Sequence, residues 1–309
     1  MLAALALALS SAAASPEETA PVCRRELVVL GAGQDAGAPQ IGNTDDAGPR
    51  LLPTSLAVID RAYGTRYLFE ATPAITEQLA MLDAIEPAVK GLGLDGIFLT
   101  HAHIGHYLGL AYLGQEAAGA KGVPVFALPR MTEFLTGNGP WGQLIALGNI
   151  ALQPMEADTF AVLSDDFGVL PFLVPHRDEY SETAGFLLMT PDKRAIFVPD
   201  LDSWEEWEAA SGQTLAGLIG GVDYAFIDAT FFDDGELPGR DMSAIPHPRV
   251  KAVMKRLGAL PAEERAKVHF IHYNHTNPIR DPASPQSQAV LAGGFNIARR
   301  GDRHCLSAE

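Results

Sequence analysis

The chain is poor in cysteine and in basic residues. It has two cysteines, Cys23 and Cys305, among 309 residues, so a framework of several disulfides is excluded. The two lie near opposite ends of the chain, and the sequence leaves open whether they pair or stay free. Lys and Arg number 22 against 38 Asp and Glu, a formal charge of −16. Because an acidic surface repels phosphate backbones, we expect no nucleic-acid partner.

Long hydrophobic runs are also missing. No run reaches the roughly 18 apolar residues of a membrane-spanning helix, so we expect no membrane partner. A short apolar run over residues 2–9 precedes three alanines at 12–14, a pattern typical of a signal peptide and its cleavage site. No basic residue precedes this run, so an Ala-rich leader is the alternative.

The start of the chain therefore carries a localisation prediction. We predict a signal peptide over residues 1–14 and a flexible leader over residues 15–25. The protein is then periplasmic or secreted, or cytoplasmic if the leader is not a signal.

The whole sequence has the composition of a folded protein, with 47% hydrophobic and 19% charged residues. Short β-rich runs alternate with helical segments in two similar halves, which predicts two sheets covered by helices and an α/β fold. We predict one domain over residues 26–300 and a C-terminal tail over residues 301–309.

Three histidines are concentrated within six residues, at His101, His103 and His106. An apolar strand over residues 96–99 precedes them. In extended backbone His101 and His103 point the same way, and His106 comes round on the first helical turn. Imidazole is the commonest zinc ligand, and catalytic zinc sites keep one position open for water. The spacing predicts a metal site.

This run, Thr-His-x-His-x-Gly-His after an apolar strand, resembles the His-x-His-x-Asp-His signature of the metallo-β-lactamase superfamily. In that family a lone His, an Asp after a strand and a late His follow, and His176, Asp200 and His272 stand in matching order. Segments 30–40, 226–232 and 276–279 resemble the branch of pyrroloquinoline-quinone biosynthesis protein B. The resemblance implies a four-layer αββα sandwich of two mixed sheets flanked by helices.

The resemblance also implies a ligand set for two metal positions. It assigns His101, His103 and His176 to the first metal, His106 and His272 to the second, and Asp200 to both. His106 and Asp200 would form the catalytic centre, with Asp200 positioning the attacking water. His275 lies three residues after His272 and is an alternative to it. The cofactor implied is Zn²⁺, as one or two ions, and iron also suits such donors.

One position departs from the family signature, because Gly105 stands where the motif has Asp. Either the second metal position is weakened, or another carboxylate enters it. Asp35, in a Gly-rich loop after the first strand, is our candidate, with a turn residue as the alternative. Asp228 and Glu70 are candidates for orienting a metal-bound imidazole. Capping or surface solvation is the alternative for both, and we favour it for Glu70, which we interpret as a capping or surface residue.

The function that these residues predict is metal-dependent hydrolysis. Zinc lowers the pKa of a bound water toward about 7, which suits attack on an ester, lactone, thioester or phosphoester of a small molecule. Two alternatives remain open: an iron-dependent oxygenase-type protein of cofactor biosynthesis, and a non-catalytic metal-binding relative. We interpret His247 and His269 as structural. The oligomeric state is left open.

Overall fold

The computed structural model describes residues 23–43 and 45–308. The predicted signal peptide and the first part of the predicted leader lie outside these residues. The described chain forms two seven-stranded sheets that pack face to face, with helices on their outer faces. The predicted four-layer α/β sandwich is confirmed.

The strands contribute to the sheets in two consecutive groups, apart from the last strand. In chain order they are β1 (Cys23–Gly31), β2 (Ser55–Asp60), β3 (Thr65–Phe69), β4 (Gly96–Phe98), β5 (Val123–Ala127), β6 (Ile150–Pro154), β7 (Ala161–Ser164), β8 (Phe167–Leu173), β9 (Ala184–Met189), β10 (Arg194–Val198), β11 (Tyr224–Asp228), β12 (Val268–Ile271), β13 (Asn296–Ile297) and β14 (Arg303–Ala308). The first sheet has the order β14-β1-β2-β3-β4-β5-β6, and the second has the order β13-β12-β11-β10-β9-β8-β7.

The helices are short and lie between the strands. They are α1 (Ile75–Ile85), α2 (Ile104–Tyr107), α3 (Pro129–Gly137), α4 (Trp141–Ala146), α5 (Trp204–Ser211), α6 (Leu215–Gly220), α7 (Val250–Leu257), α8 (Ala262–Arg265) and α9 (Pro285–Ala292), with 3-10 turns at Leu108–Leu113, Met242–Ala244 and Pro278–Arg280. Among the described residues, no helix has the length and apolar character needed to cross a bilayer.

The central strands are buried on both faces. Along β1, Leu27 and Val29 pack into the core between the sheets, while Val28 and Leu30 pack under the helices of the first half. This alternation follows from the two-residue period of a strand. Because both faces are covered, the strand reads as a continuous apolar run rather than an alternating one.

The prediction of a tail over residues 301–309 is wrong for residues 303–308, which form strand β14. β14 pairs antiparallel with β1, with Cys305 opposite Glu26. The prediction of a flexible leader up to residue 25 is wrong for residues 23–25, since β1 begins at Cys23. A disulfide joins Cys23 to Cys305, whose Cα atoms are 5.6 Å apart.

Parallel pairing brings several strand ends to the same edge of the sandwich. β4 runs parallel to β3 and β5 in the first sheet, and β10, β11 and β12 run parallel in the second. In sheets of this kind ligands bind outside the carboxyl ends of the strands. The loops after β4, β10, β11 and β12 hold most of the predicted site residues, while Asp35 follows β1 and His176 follows β8.

Candidate metal centre

The predicted metal ligands converge from both halves of the sandwich. The histidine triplet follows β4, His176 follows β8, Asp200 follows β10 and His272 follows β12. Their side chains belong to two groups. Within each group, the ligand atoms lie within 4.8 Å of one another. The residues that the resemblance assigned to one site are therefore brought together.

The first group consists of His101, His103, His176 and Asp200. His176 Nε2 lies 3.0 Å from His103 Nδ1 and 3.2 Å from Asp200 Oδ2. His101 Nε2 lies 3.5 Å from the same carboxylate oxygen. Three imidazole nitrogens thus surround one oxygen, which is a donor set for a zinc ion.

The second group consists of Asp35, His106 and His272. His106 Nε2 lies 3.8 Å from Asp200 Oδ2 and His272 Nε2 lies 4.0 Å from it. Asp200 Oδ2 therefore lies between the two groups, where it could serve as a ligand to an ion in either of them. Burial raises the pKa of Asp200, but His272 and the neighbouring imidazoles outweigh burial and hold this pKa well below its usual range.

The donor atoms fit a metal because several of them lack any other partner. His101 Nε2, His106 Nε2 and His272 Nε2 are buried and make no hydrogen bond. An unsatisfied buried polar atom is costly, so it needs an explanation such as an ion. Burial lowers the pKa of His101 well below its usual value, which favours the neutral imidazole that binds metals.

Hydrogen bonds on the far side of the first group fix how its rings are turned. His176 Nδ1 lies 2.7 Å from Asp202 Oδ1, and His103 Nε2 lies 2.9 Å from Glu179 Oε2. His101 Nδ1 lies 2.8 Å from the hydroxyl of Thr100. Such partners select the tautomer whose other nitrogen faces the metal.

Glu70 is a site residue, so its interpretation as a capping or surface residue is wrong. It is fully buried, and its Oε1 lies 3.2 Å from His106 Nδ1. Thr100 donates its hydroxyl hydrogen to the same carboxylate. Burial lowers the pKa of His106, but the charge and hydrogen bonding of Glu70, together with the charges of Asp200 and Asp35, outweigh burial and raise it to about 9.

Asp228 and His247 form a buried pair behind Asp200. His247 Nδ1 lies 2.8 Å from Asp228 Oδ2 and 3.2 Å from Asp200 Oδ1. Asp228 accepts a hydrogen bond from the Thr230 hydroxyl, which lies 3.1 Å from His272 Nδ1. Asp228 thus reaches a predicted ligand through Thr230. His247 is more than structural, because it contacts the bridging carboxylate.

The charge on His247 follows from these contacts. Burial lowers the pKa of His247, but Asp228 and Asp200 outweigh burial and raise it to about 10. No spacing pattern indicated His247 as a site residue, because it stands alone between Pro246 and Pro248. His275 does not join either group, and its Nδ1 lies 2.8 Å from Asn274 Oδ1.

Strained backbone is concentrated at this centre. Among the described residues, five other than glycine have a positive φ, and four of them belong to the site: Asp35, Glu70, His247 and His272. The fifth is Asp158. Left-handed backbone at a non-glycine residue costs on the order of 1 kcal/mol or more and persists where surrounding structure enforces it. This clustering is typical of functional sites.

Comparisons with known proteins identify the family of the chain. The Beta-lactamase superfamily domain matches residues 65–273. Coenzyme PQQ synthesis protein B of Ruegeria pomeroyi is 25% identical over 307 residues, covering 89% of this chain and 98% of that protein. The protein of the same name from Klebsiella pneumoniae is 27% identical over 312 residues, covering 87% and 94%.

Solved structures share the fold at low sequence identity. Zn²⁺-bound PqqB from Methylobacterium extorquens superposes with a TM-score of 0.69 at 19% identity, covering 90% of this chain and 99% of that one. A diphosphatase from the PhnP family has a TM-score of 0.62 at 20% identity, covering 91% and 96%. The chain belongs to the β-lactamase superfamily, in the branch that resembles coenzyme PQQ synthesis protein B.

Proposed function

We propose that this protein is a metal-dependent hydrolase that acts on an ester, lactone, thioester or phosphoester of a small molecule. The observation that carries the proposal is the set of buried imidazole nitrogens without hydrogen-bond partners around Asp200. The hydrolase-type fold of the superfamily supports it, as does the zinc bound by the PqqB of Methylobacterium extorquens.

The roles of the side chains follow from their positions. His101, His103, His176 and Asp200 would hold one ion, and His106 and His272 would hold a second beside Asp200. When bound, zinc supplies a Lewis acid that acidifies water and polarises a substrate oxygen.

Side chains at the centre would orient the water and the metal ligands for this chemistry. Asp200 would orient the attacking water through its Oδ2, while the buried His247 holds its Oδ1. Glu70 stabilises a proton on His106 Nδ1, which leaves the lone pair of Nε2 available to bind a metal ion.

Two exposed apolar side chains adjoin His103 and its partner Glu179 along the chain, and they favour an uncharged or acyl substrate. Ile104 follows His103 directly and is 60% exposed, and Tyr180 follows Glu179 and is 66% exposed. The Tyr180 ring lies 5.5 Å from the ring of Phe134. Exposed apolar side chains next to a polar centre are typical of ligand sites.

The test combines metal analysis with a substrate panel. Zinc and iron in the purified protein are measured by mass spectrometry. Hydrolysis of esters, lactones, thioesters and phosphodiesters is measured in a separate panel of activity assays. We expect bound zinc and turnover of at least one class, both lost in His101→Ala with His176→Ala. His269→Ala, a histidine outside the two groups, is the matched control. Absence of bound metal from the wild-type protein would overturn the proposal.

A second candidate is an iron-dependent oxygenase-type protein. The similarity over 89% of the chain to a protein named for coenzyme PQQ synthesis favours it, and imidazoles with a carboxylate also bind iron. Bound iron together with oxygen consumption would support it. Bound zinc with no turnover across the panel would instead support a non-catalytic metal-binding relative.

The disulfide supports export. Disulfides persist in oxidising compartments and are rare in the cytosol, and Cys23 and Cys305 are joined. We therefore propose a periplasmic or secreted location. Cell fractionation followed by N-terminal sequencing tests it, since a mature chain starting near residue 15 is expected and an intact cytoplasmic chain would contradict it.

A further inference from the structure

The second group lacks the carboxylate that the family signature supplies within the histidine run, because Gly105 has no side chain. A Cβ placed on Gly105 would lie 2.6 Å from Asp35 Cα and 3.0 Å from Asp35 Oδ1. Asp35 therefore occupies the space that a side chain at residue 105 would need. We propose that Asp35 is the carboxylate ligand of the second metal position. The inference rests on the proposed function.

The position of Asp35 relative to His106 and His272 supports this. Asp35 Oδ1 lies 3.9 Å from His106 Nε2, and these three residues offer ligand atoms within 4.8 Å of one another. Both imidazoles are buried, and both Nε2 atoms lack a hydrogen-bond partner. Two imidazoles and one carboxylate form a common catalytic zinc set.

Backbone hydrogen bonds hold the loop that carries Asp35 against the segment that carries His272. Gln34 donates its backbone N–H to the carbonyl of Tyr273 at 3.0 Å, and Gly37 donates to the carbonyl of Gln34 at 2.9 Å. Asp35 lies inside this turn with a φ of 41°. Asp adopts left-handed backbone more readily than most residues, so the turn aims its carboxylate without a glycine at that position.

The carboxylate is also accessible from solvent. The Asp35 side chain is 45% exposed, whereas those of His106 and His272 are almost fully buried. A ligand at the rim leaves one side of the position open for water or substrate, as catalytic sites require. Asp35 lies outside residues 65–273, the part that matches the family domain, so this ligand comes from a different segment.

The first experiment replaces the carboxylate while keeping its shape. Asp35→Asn retains the volume and tolerates the same φ. Zinc per chain is measured by native mass spectrometry, and the affinity of each ion by competition with a chelator. We expect two ions in the wild-type protein, and at least about tenfold weaker binding of one ion in the variant. Asp158→Asn is the matched control, because Asp158 also has a positive φ and lies outside the metal groups.

The second experiment tests the shared space without removing a donor atom. In Gly105→Ala the new Cβ would press on the Asp35 backbone, so we expect weaker binding of the same ion. Gly137→Ala is its control, because a Cβ there meets no atom within 4 Å. Thermal unfolding and circular dichroism verify that each variant folds.

The outcomes separate the two proposals. Two ions bound at wild-type affinity by Asp35→Asn would overturn the role of Asp35 and leave the proposed function intact. A wild-type protein that binds no ion would overturn the proposed function. Loss of the ion in the Asp158 control to the same degree would also overturn the role of Asp35.

Discussion

Removing the disulfide should destabilise the protein strongly. Cys23 and Cys305 are 282 residues apart in the sequence, so the bond closes nearly the whole chain into a loop. The chain-entropy relation gives about 5.6 kcal/mol for a loop of this length. Residual structure in the unfolded chain reduces the gain. We therefore expect a loss of about 3–5 kcal/mol in the free energy of unfolding.

The native state should survive this change. β14 keeps its backbone pairing with β1, and Arg303 keeps its ion pair with Glu26. The effect therefore falls mainly on the unfolded chain. Folding of the variant can be verified by circular dichroism before its stability is measured.

The assay is urea unfolding of wild-type protein and of the Cys23→Ala, Cys305→Ala double variant without reductant. Wild-type protein with reductant should behave like the variant, and reductant should not affect the variant. Equal unfolding free energies for the two proteins would refute the reasoning. So would two free thiols titrated in denatured, unreduced wild-type protein.

Three further predictions concern the metal centre and one buried histidine. Glu70→Gln should weaken binding of the ion that His106 ligates by about 10–100-fold, because the ring loses its charged partner; chelator competition measures this, and unchanged affinity would contradict it. Asp202→Asn should weaken the ion held by His176 in the same way, and an effect on the other ion alone would contradict it. Burial, with the charge of His304, lowers the pKa of His269 from 6.5 to about 3. Between these two pKa values only the unfolded chain binds a proton at His269. The contribution of His269 to the free energy of unfolding is therefore fully present above pH 6.5 and is lost as the pH falls toward 3. Relative to His269→Phe, the wild-type protein should lose about 2.5 kcal/mol between pH 7 and pH 4.5, and parallel pH profiles of unfolding free energy would contradict this.

The histidine triplet could be predicted because its signal is local. A strand followed by His101, His103 and His106 places three donors by the geometry of one loop. His176, Asp200 and His272 required the family resemblance, since nothing in the spacing of distant residues shows that strand ends meet. The alternation of strands and helices indicated two sheets covered by helices, and the family resemblance supplied the four-layer arrangement.

The residues that the sequence analysis missed depend on tertiary packing. Glu70 is an ordinary acidic residue in the sequence, and its contact with His106 exists only because β3 and β4 lie side by side. His247 has no neighbouring donor along the chain, and only the return of its loop to Asp200 reveals it. The pairing of β14 with β1 joins segments more than 270 residues apart, which no local pattern can indicate.

The ligands of the centre are divided between the two halves of the chain, and this division has a mechanical consequence. His101 and His103 follow a strand of the first sheet, while His176 and Asp200 follow strands of the second. An ion held by all four would tie the two sheets to each other. Chelation should therefore let the two halves separate more easily, and amide hydrogens along the facing strands would report that loosening before any global melting.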